Sequence, residues 1–272
     1  MNFYIIIIII IIIIIVTIYL NREYMMYIVY NSAQEYMVSK NQFNIFVPLS
    51  NKVRTFFKPY NKIKDNKLDT VLIINGGGFL GDDLFDTIIG KRVEELYPNA
   101  NIVTIDYPKI TNFDLVVNNV KNEIINKKYK VQHIYAHSAG CAIAVTLPKF
   151  IKVKNMTLLS PFLVWTDKIS SDQESEYDYV NPKMANMIKN KYNIDIRKYI
   201  NKEILKDCNI KIIIGKKEVL LKDTLAFCID MNITNIVILK EKYHGIRSWT
   251  HDDLNTTIFN KKMSIEDFKL IL

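Results

Sequence analysis

The sequence is short of cysteine, short of histidine and uncharged at its start. Its three cysteines, Cys141, Cys208 and Cys228, are an odd number, and none stands in a C-x-x-C pair or at a Cys/His metal spacing. That pattern argues against a disulfide framework or a structural zinc site. It leaves at most one Cys208–Cys228 bridge, and three buried thiols are the simpler expectation. Only four histidines, His133, His137, His244 and His251, are available to any chemistry that needs an imidazole. No Lys or Arg precedes Arg22, so the chain lacks the basic leader of a cleaved secretory signal. The net charge of +8 comes mostly from Lys in a chain rich in Ile, Asn and Lys. No basic helix face with interleaved aromatics and no nucleic-acid module accompanies it, so nucleic acid is not an expected partner. What the charge allows is a weak attraction to anionic membrane surfaces.

What is present begins with an apolar run over residues 3–20, including eleven consecutive isoleucines at 5–15. Eighteen residues in a helix reach about 27 Å, near the thickness of a bilayer core. Large residues close the run, so an uncleaved signal anchor over residues 1–21 is expected, with a cleaved signal as the alternative. Arg22 and Glu23 flank it with opposite signs and leave its orientation open. Residues 22–40 read as a juxtamembrane helix or linker. Sequons at Asn155, Asn232 and Asn255 carry little weight in so Asn-rich a chain.

Two short strand-like runs follow, 43–48 and 53–58, punctuated by turn residues. From residue 71 the pattern is regular. Strands are expected at 71–74, 102–105, 131–135, 153–159, 210–214 and 236–239. Helical spacing lies at 84–96, 113–125 and after residue 138, with a short terminal helix at 268–272. Apolar strands alternating with amphipathic helices predict an α/β domain over 41–272, with a mainly parallel sheet and helices on both faces. Residues 162–207, polar and helical with Tyr and Met, interrupt the alternation and read as a cap inserted at the strands' carboxyl ends. With 272 residues and 49% hydrophobic content, one large core is affordable.

Open α/β sheets carry their sites at the carboxyl ends of strands. Here those ends hold Asn75-Gly76-Gly77-Gly78-Phe79, Ser138, Glu218 and His244. Ser138 stands in Ala136-His137-Ser138-Ala139-Gly140, a strand-to-helix corner close to G-x-S-x-G, where a hydroxyl projects above the sheet edge. Serine attack needs N–H donors for the developing oxyanion, and Gly77, Gly78 and Ala139 are the candidates. The glycines lack G-x-G-x-x-G spacing and a following G-K-[ST], which disfavours nucleotide binding. A serine also needs a base, oriented by an acid. His133 lies inside a strand, and His137 beside Ser138 points away from it. His244, in the loop after the last strand, is the preferred base, with His251 as the alternative. Glu218, just past the strand 210–214, is the preferred acid. Asp223 is the alternative, although its place suggests a cap for the next helix.

These motifs resemble the α/β-hydrolase superfamily, in particular its hormone-sensitive-lipase-like branch and the fungal steryl acetyl hydrolases. Asn75-Gly76-Gly77-Gly78-Phe79 is similar to the family's H-G-G-G-F, and Asp106-Tyr107 follows the next strand. His137-Ser138-Ala139-Gly140 matches D/H-S-A-G, and Gly215 with Glu218, Leu220 and Asp223 matches the family's G-x-x-D/E-x-L-x-x-D. Ser160-Pro161-Phe162 resembles the S-P-W before the family's cap. Two positions depart from the pattern: Asn75 replaces a histidine and Ala136 a glycine. The resemblance implies an α/β-hydrolase fold and carboxylester hydrolysis through an acyl-serine intermediate, without metal or cofactor. Ser138 would be the nucleophile, His244 the base and Glu218 the acid. The anchor and an insertion carrying Trp165, Tyr177, Tyr179, Met184 and Met187 suggest a small lipophilic ester substrate, with no obligate protein partner. A non-catalytic hydrolase-fold binding protein, and a serine peptidase or acyltransferase, are the alternatives.

Overall fold

Runs such as Val-Leu-Ile-Ile at 71–74 have no polar face, and a strand without one must be covered on both sides. In the computed structural model, which describes residues 58–65, 67–79, 85–109, 111–169, 180 and 182–239, such runs build one sheet. Its strands are β1 (Asp69–Ile74), β2 (Asn101–Ile105), β3 (Lys130–His137), β4 (Asn155–Leu159), β5 (Asn209–Gly215) and β6 (Ile236–Leu239). All neighbours pair in parallel, in the order β2-β1-β3-β4-β5-β6. Val71, Ile73, Tyr135, Leu159 and Ile213 form the buried core on one face. Leu72, Ile74, Ile134, Leu158 and Ile212, which alternate with them, are fully buried as well, so both faces are covered.

Helix α1 (Phe85–Leu96) sets Phe85, Ile89 and Val93 on one stripe, four residues apart, and buries that stripe against the core. Helix α2 (Phe113–Asn126) starts where the Asn112 side chain accepts the Asp114 N–H. Helix α3 (Ala139–Thr146) is small, apolar and wholly buried. The chain winds one way from β1 to β2, then crosses back to place β3 on the other side of β1. That reversal is the switch point of the sheet, at the carboxyl ends of β1 and β3, where open α/β sheets bind ligands.

The six strands expected from residue 71 onward are all present, with ends shifted by at most two residues. The largest extension is β3, which continues through His137, two residues past its expected end, because it pairs with β4 as far as His137↔Leu159. The interval 162–207 carries α4 (Pro182–Tyr192), α5 (Lys202–Leu205) and no strand among its described residues. The three cysteines are free, with Cys208 half-buried, so no Cys208–Cys228 bridge is formed. Burial pushes the Cys208 thiol up to about 12. Among the described residues no helix is long and apolar enough to cross a membrane. The expected anchor, the segment 22–40, the run 43–48, the run 53–58 apart from Lys58, and the terminal helix lie outside the described residues.

Candidate active site

Ser138 follows β3 directly and precedes α3. Its backbone sits at φ 48°, ψ −119°, a left-handed conformation that costs a non-glycine residue about 1–3 kcal/mol and must be held by its surroundings. Three hydrogen bonds hold it. Its N–H donates to Leu159 O (3.0 Å), and its carbonyl accepts from Cys141 N (3.0 Å) and Phe162 N (3.1 Å). Gly140 lets α3 start this close to β1: a Cβ there would stand 2.4 Å from Ile74 O and 2.6 Å from Asn75 O. Ala136, where the family pattern has glycine, pairs with Ile74 and Leu158 and is fully buried, so its methyl group is accommodated.

The glycine run turns at the end of β1 with Gly77 at φ 100° and Gly78 at φ 62°, values that favour glycine. Phe79, which follows the run, is buried edge-on to Tyr107 and Phe113. Asn75 exchanges two hydrogen bonds with buried Asp86: its Nδ2 donates to Oδ1 and its Oδ1 accepts the Asp86 N–H, both at 2.8 Å. Asp86 Oδ2 also accepts from Tyr60 N (2.7 Å) and Thr104 Oγ1 (3.1 Å). The asparagine therefore ties the loop to α1 and β2. The Tyr107 hydroxyl donates to the carbonyls of Asn75 and Gly76, each at 2.9 Å. The Ile188 Cδ1 of α4 lies 3.4 Å from where a Cβ on Gly78 would be, so a helix of the insertion comes into contact with the run at Gly78.

The two candidate acids are separated by their partners. Glu218, 1% exposed, sits in the turn after β5, and its Oε1 accepts from Gly215 N (2.6 Å) and Ser160 Oγ (2.7 Å). Asp223 lies in the first turn of α6 (Leu221–Met231), but the expectation that it caps this helix is corrected, since the cap position is Leu220. Its carboxylate instead accepts from Trp165 N (3.0 Å), Thr166 N (2.7 Å) and Thr166 Oγ1 (2.6 Å), fastening the start of the insertion. Trp165 packs on Phe227 and donates from its ring N–H to Asp230, so it belongs to the packing around α6.

Of the histidines, His133 stacks on Tyr135 at 4.2 Å and bonds Tyr97 OH and Thr157 Oγ1; burial lowers it to about 3. His137 is buried with its ring against Phe85 at 5.3 Å. His244 and His251 lie outside the described residues. Strand β6 ends with Leu239 paired to Gly215, and Lys216 N donates to Leu239 O at 2.8 Å. Strand β6 thus ends beside the turn that carries Glu218. Among the described residues, no group of His, Cys, Asp and Glu could hold a metal ion.

Reading the sequence residue by residue missed three contributors: Ser160 on Glu218, Asp86 on Asn75 and Tyr107 on the glycine run. Asp106-Tyr107 and Ser160-Pro161 stood out only as motifs without roles.

No family model and no curated protein matches the sequence. Solved structures do match. A hormone-sensitive lipase from a metagenome library superposes with TM-score 0.56 at 14% identity, over 75% of this chain and 77% of that one. The chain has the α/β-hydrolase fold. A thermostable esterase from Pseudomonas putida matches with TM-score 0.54 at 14% identity, over 72% and 73% of the two chains. The Pyrobaculum calidifontis esterase matches with TM-score 0.54 at 14% identity, over 75% and 76%. On this α/β-hydrolase sheet, the glycine run and Ser138 occupy the carboxyl ends of β1 and β3, at the switch point.

Proposed function

We propose that the protein is a serine carboxylester hydrolase working through an acyl-serine intermediate, with Ser138 as nucleophile, His244 as base and Glu218 as acid. The observation that carries this reading is the Ser138 corner: a serine held at φ 48° between a parallel strand and a helix, beside a glycine run with two positive-φ residues. In the proposed reaction His244 takes the Ser138 proton as Oγ attacks the acyl carbon. The N–H groups of Ala139, Gly77 and Gly78 receive the oxyanion. Glu218 holds the imidazole and stabilises its charged form. The imidazolium then protonates the leaving alcohol, and a water activated by the same histidine releases the acid. The esterase and lipase names of the structural neighbours support an ester as substrate. The apolar run 3–20 would tether the domain to a membrane and favour lipophilic esters.

The test is fluorophosphonate labelling of the full chain in detergent, wild type beside Ser138→Ala, with short and long p-nitrophenyl esters assayed in parallel. Labelling and turnover lost together in the variant are expected. A folded wild type that neither labels nor turns over any ester would point to a binding protein on this fold. His244→Ala beside His251→Ala, and Glu218→Gln beside Asp223→Asn, would sort the base and the acid. Extraction of the full chain from membranes by carbonate would remove the tether from the reading.

A further inference from the structure

Tyr107 and Lys109 have no part in the reaction described so far, yet they stand directly behind the glycine run. Tyr107 is buried, 3% exposed. Its one phenolic hydrogen is shared between the carbonyls of Asn75 and Gly76, each 2.9 Å away. Those carbonyls belong to the peptide groups whose N–H groups are on Gly76 and Gly77. A hydrogen bond to a peptide oxygen polarises the whole amide and makes its N–H a stronger donor. The Lys109 ammonium lies 3.3 Å from the Tyr107 ring centroid. A cation over the ring face draws electron density from the phenol and makes its O–H a stronger donor. Asp106 fixes this turn, accepting the Tyr107 N–H at 2.9 Å and lying 3.6 Å from the ammonium.

We infer that Lys109 and Tyr107 are positioning residues that strengthen and aim the Gly77 N–H toward the oxyanion, the charge acting through the ring, the hydroxyl and the Gly76 carbonyl. This rests on the esterase reading above. It assigns the transition state a source of stabilisation that touches no substrate atom, and it explains why a lysine side chain only 12% exposed sits behind the loop.

The experiment uses the full chain in detergent, with p-nitrophenyl butyrate as substrate and an alkyl trifluoromethyl ketone, which forms an oxyanionic hemiketal with a reactive serine. Tyr107→Phe is expected to lower kcat by roughly tenfold, a fraction of the effect of deleting an oxyanion donor outright. It should weaken the ketone by the same factor and leave KM nearly unchanged. Lys109→Met should do the same to a smaller extent, and Lys109→Arg, which keeps a cation over the ring, should restore most of the loss. Folded variants whose kcat and ketone affinity equal the wild type would overturn the inference and leave the esterase reading intact. If Tyr107→Phe fails to fold, the Lys109 pair decides: equal Met and Arg variants overturn the inference. A wild type without turnover would instead sink the esterase reading, and the inference with it.

Discussion

Two serines that follow neighbouring strands both stand at positive φ. Ser138 after β3 has φ 48° and Ser160 after β4 has φ 42°, and both are buried. Each backbone N–H donates one strand over, from Ser138 to Leu159 O at 3.0 Å and from Ser160 to Ile213 O at 2.8 Å. What separates them is the next residue. Ala139 has an N–H at the start of a buried helix, where backbone donors and the helix dipole favour negative charge. Pro161 has none, so the corner at Ser160 cannot offer an attacked carbonyl the donor it needs. Ser160 spends its hydroxyl on Glu218 instead. Positive φ after the strand is thus shared by both corners, and what each could offer a reacting carbonyl depends on what the next peptide can donate.

The most damaging way to test that contrast is to remove each hydroxyl in turn. Ser138→Ala is expected to lower kcat by roughly 10^4-fold or more while the protein stays folded. Turnover surviving there but vanishing in Ser160→Ala would reverse the two assignments. The next largest effect is on stability. Gly140→Ala puts a methyl group against the Ile74 and Asn75 carbonyls, fixed backbone atoms that cannot turn away. It is expected to cost about 2–3 kcal/mol in denaturant unfolding. A neutral result would mean that α3 does not need its close seat on β1, and the account of how the Ser138 corner is held would fail.

How much of this was readable from the sequence depends on the reach of each interaction. Strand positions were legible because buried parallel strands are short apolar runs, and the pattern needs nothing beyond its own residues. The Ser138 corner and the glycine run were legible because small residues at strand ends have few other uses. Glu218 was placed in the turn after β5 by its position alone, and the fold puts it there. Asp223 was misread as a helix cap because a carboxylate in a first turn usually serves its own helix, whereas its partners Trp165 and Thr166 lie 58 and 57 residues away. Ser160 and Tyr107 were opaque for the same reason, since their hydroxyls act on Glu218 and on the glycine run, 58 and about 30 residues distant. Asn75 was expected to hydrogen-bond and fix its loop, but only the fold identifies Asp86 as the partner.

A smaller effect sharpens the second corner. In Ser160→Ala, Glu218 Oε1 keeps the Gly215 N–H at 2.6 Å and loses the hydroxyl. A hydrogen bond to a charged group contributes about 1.5–3 kcal/mol. Stability should fall by about that amount and, if Glu218 is the acid as proposed, kcat by about tenfold, with KM steady. A kcat unchanged in a destabilised but folded variant would confine Ser160 to packing.

The smallest expected effect tests whether the histidines within β3 stay out of the chemistry. His133 lies five residues before Ser138, roughly 16 Å down the strand at about 3.3 Å per residue. Burial lowers it from 6.5 to about 3 in the folded chain. Because the folded value is depressed, the unfolded chain binds the extra proton between those limits. The stability this group contributes is therefore fully present above about pH 6.5 and is lost as pH falls toward 3. One such group tilts stability by about 1.4 kcal/mol per pH unit inside that window. His133→Gln should remove that tilt between pH 6.5 and 5, where most carboxylates stay ionised, and should leave kcat at pH 7.5 unchanged. Loss of turnover at pH 7.5 in a folded His133→Gln would mean that the base comes from inside β3, and that the chain beyond β6 does not supply it.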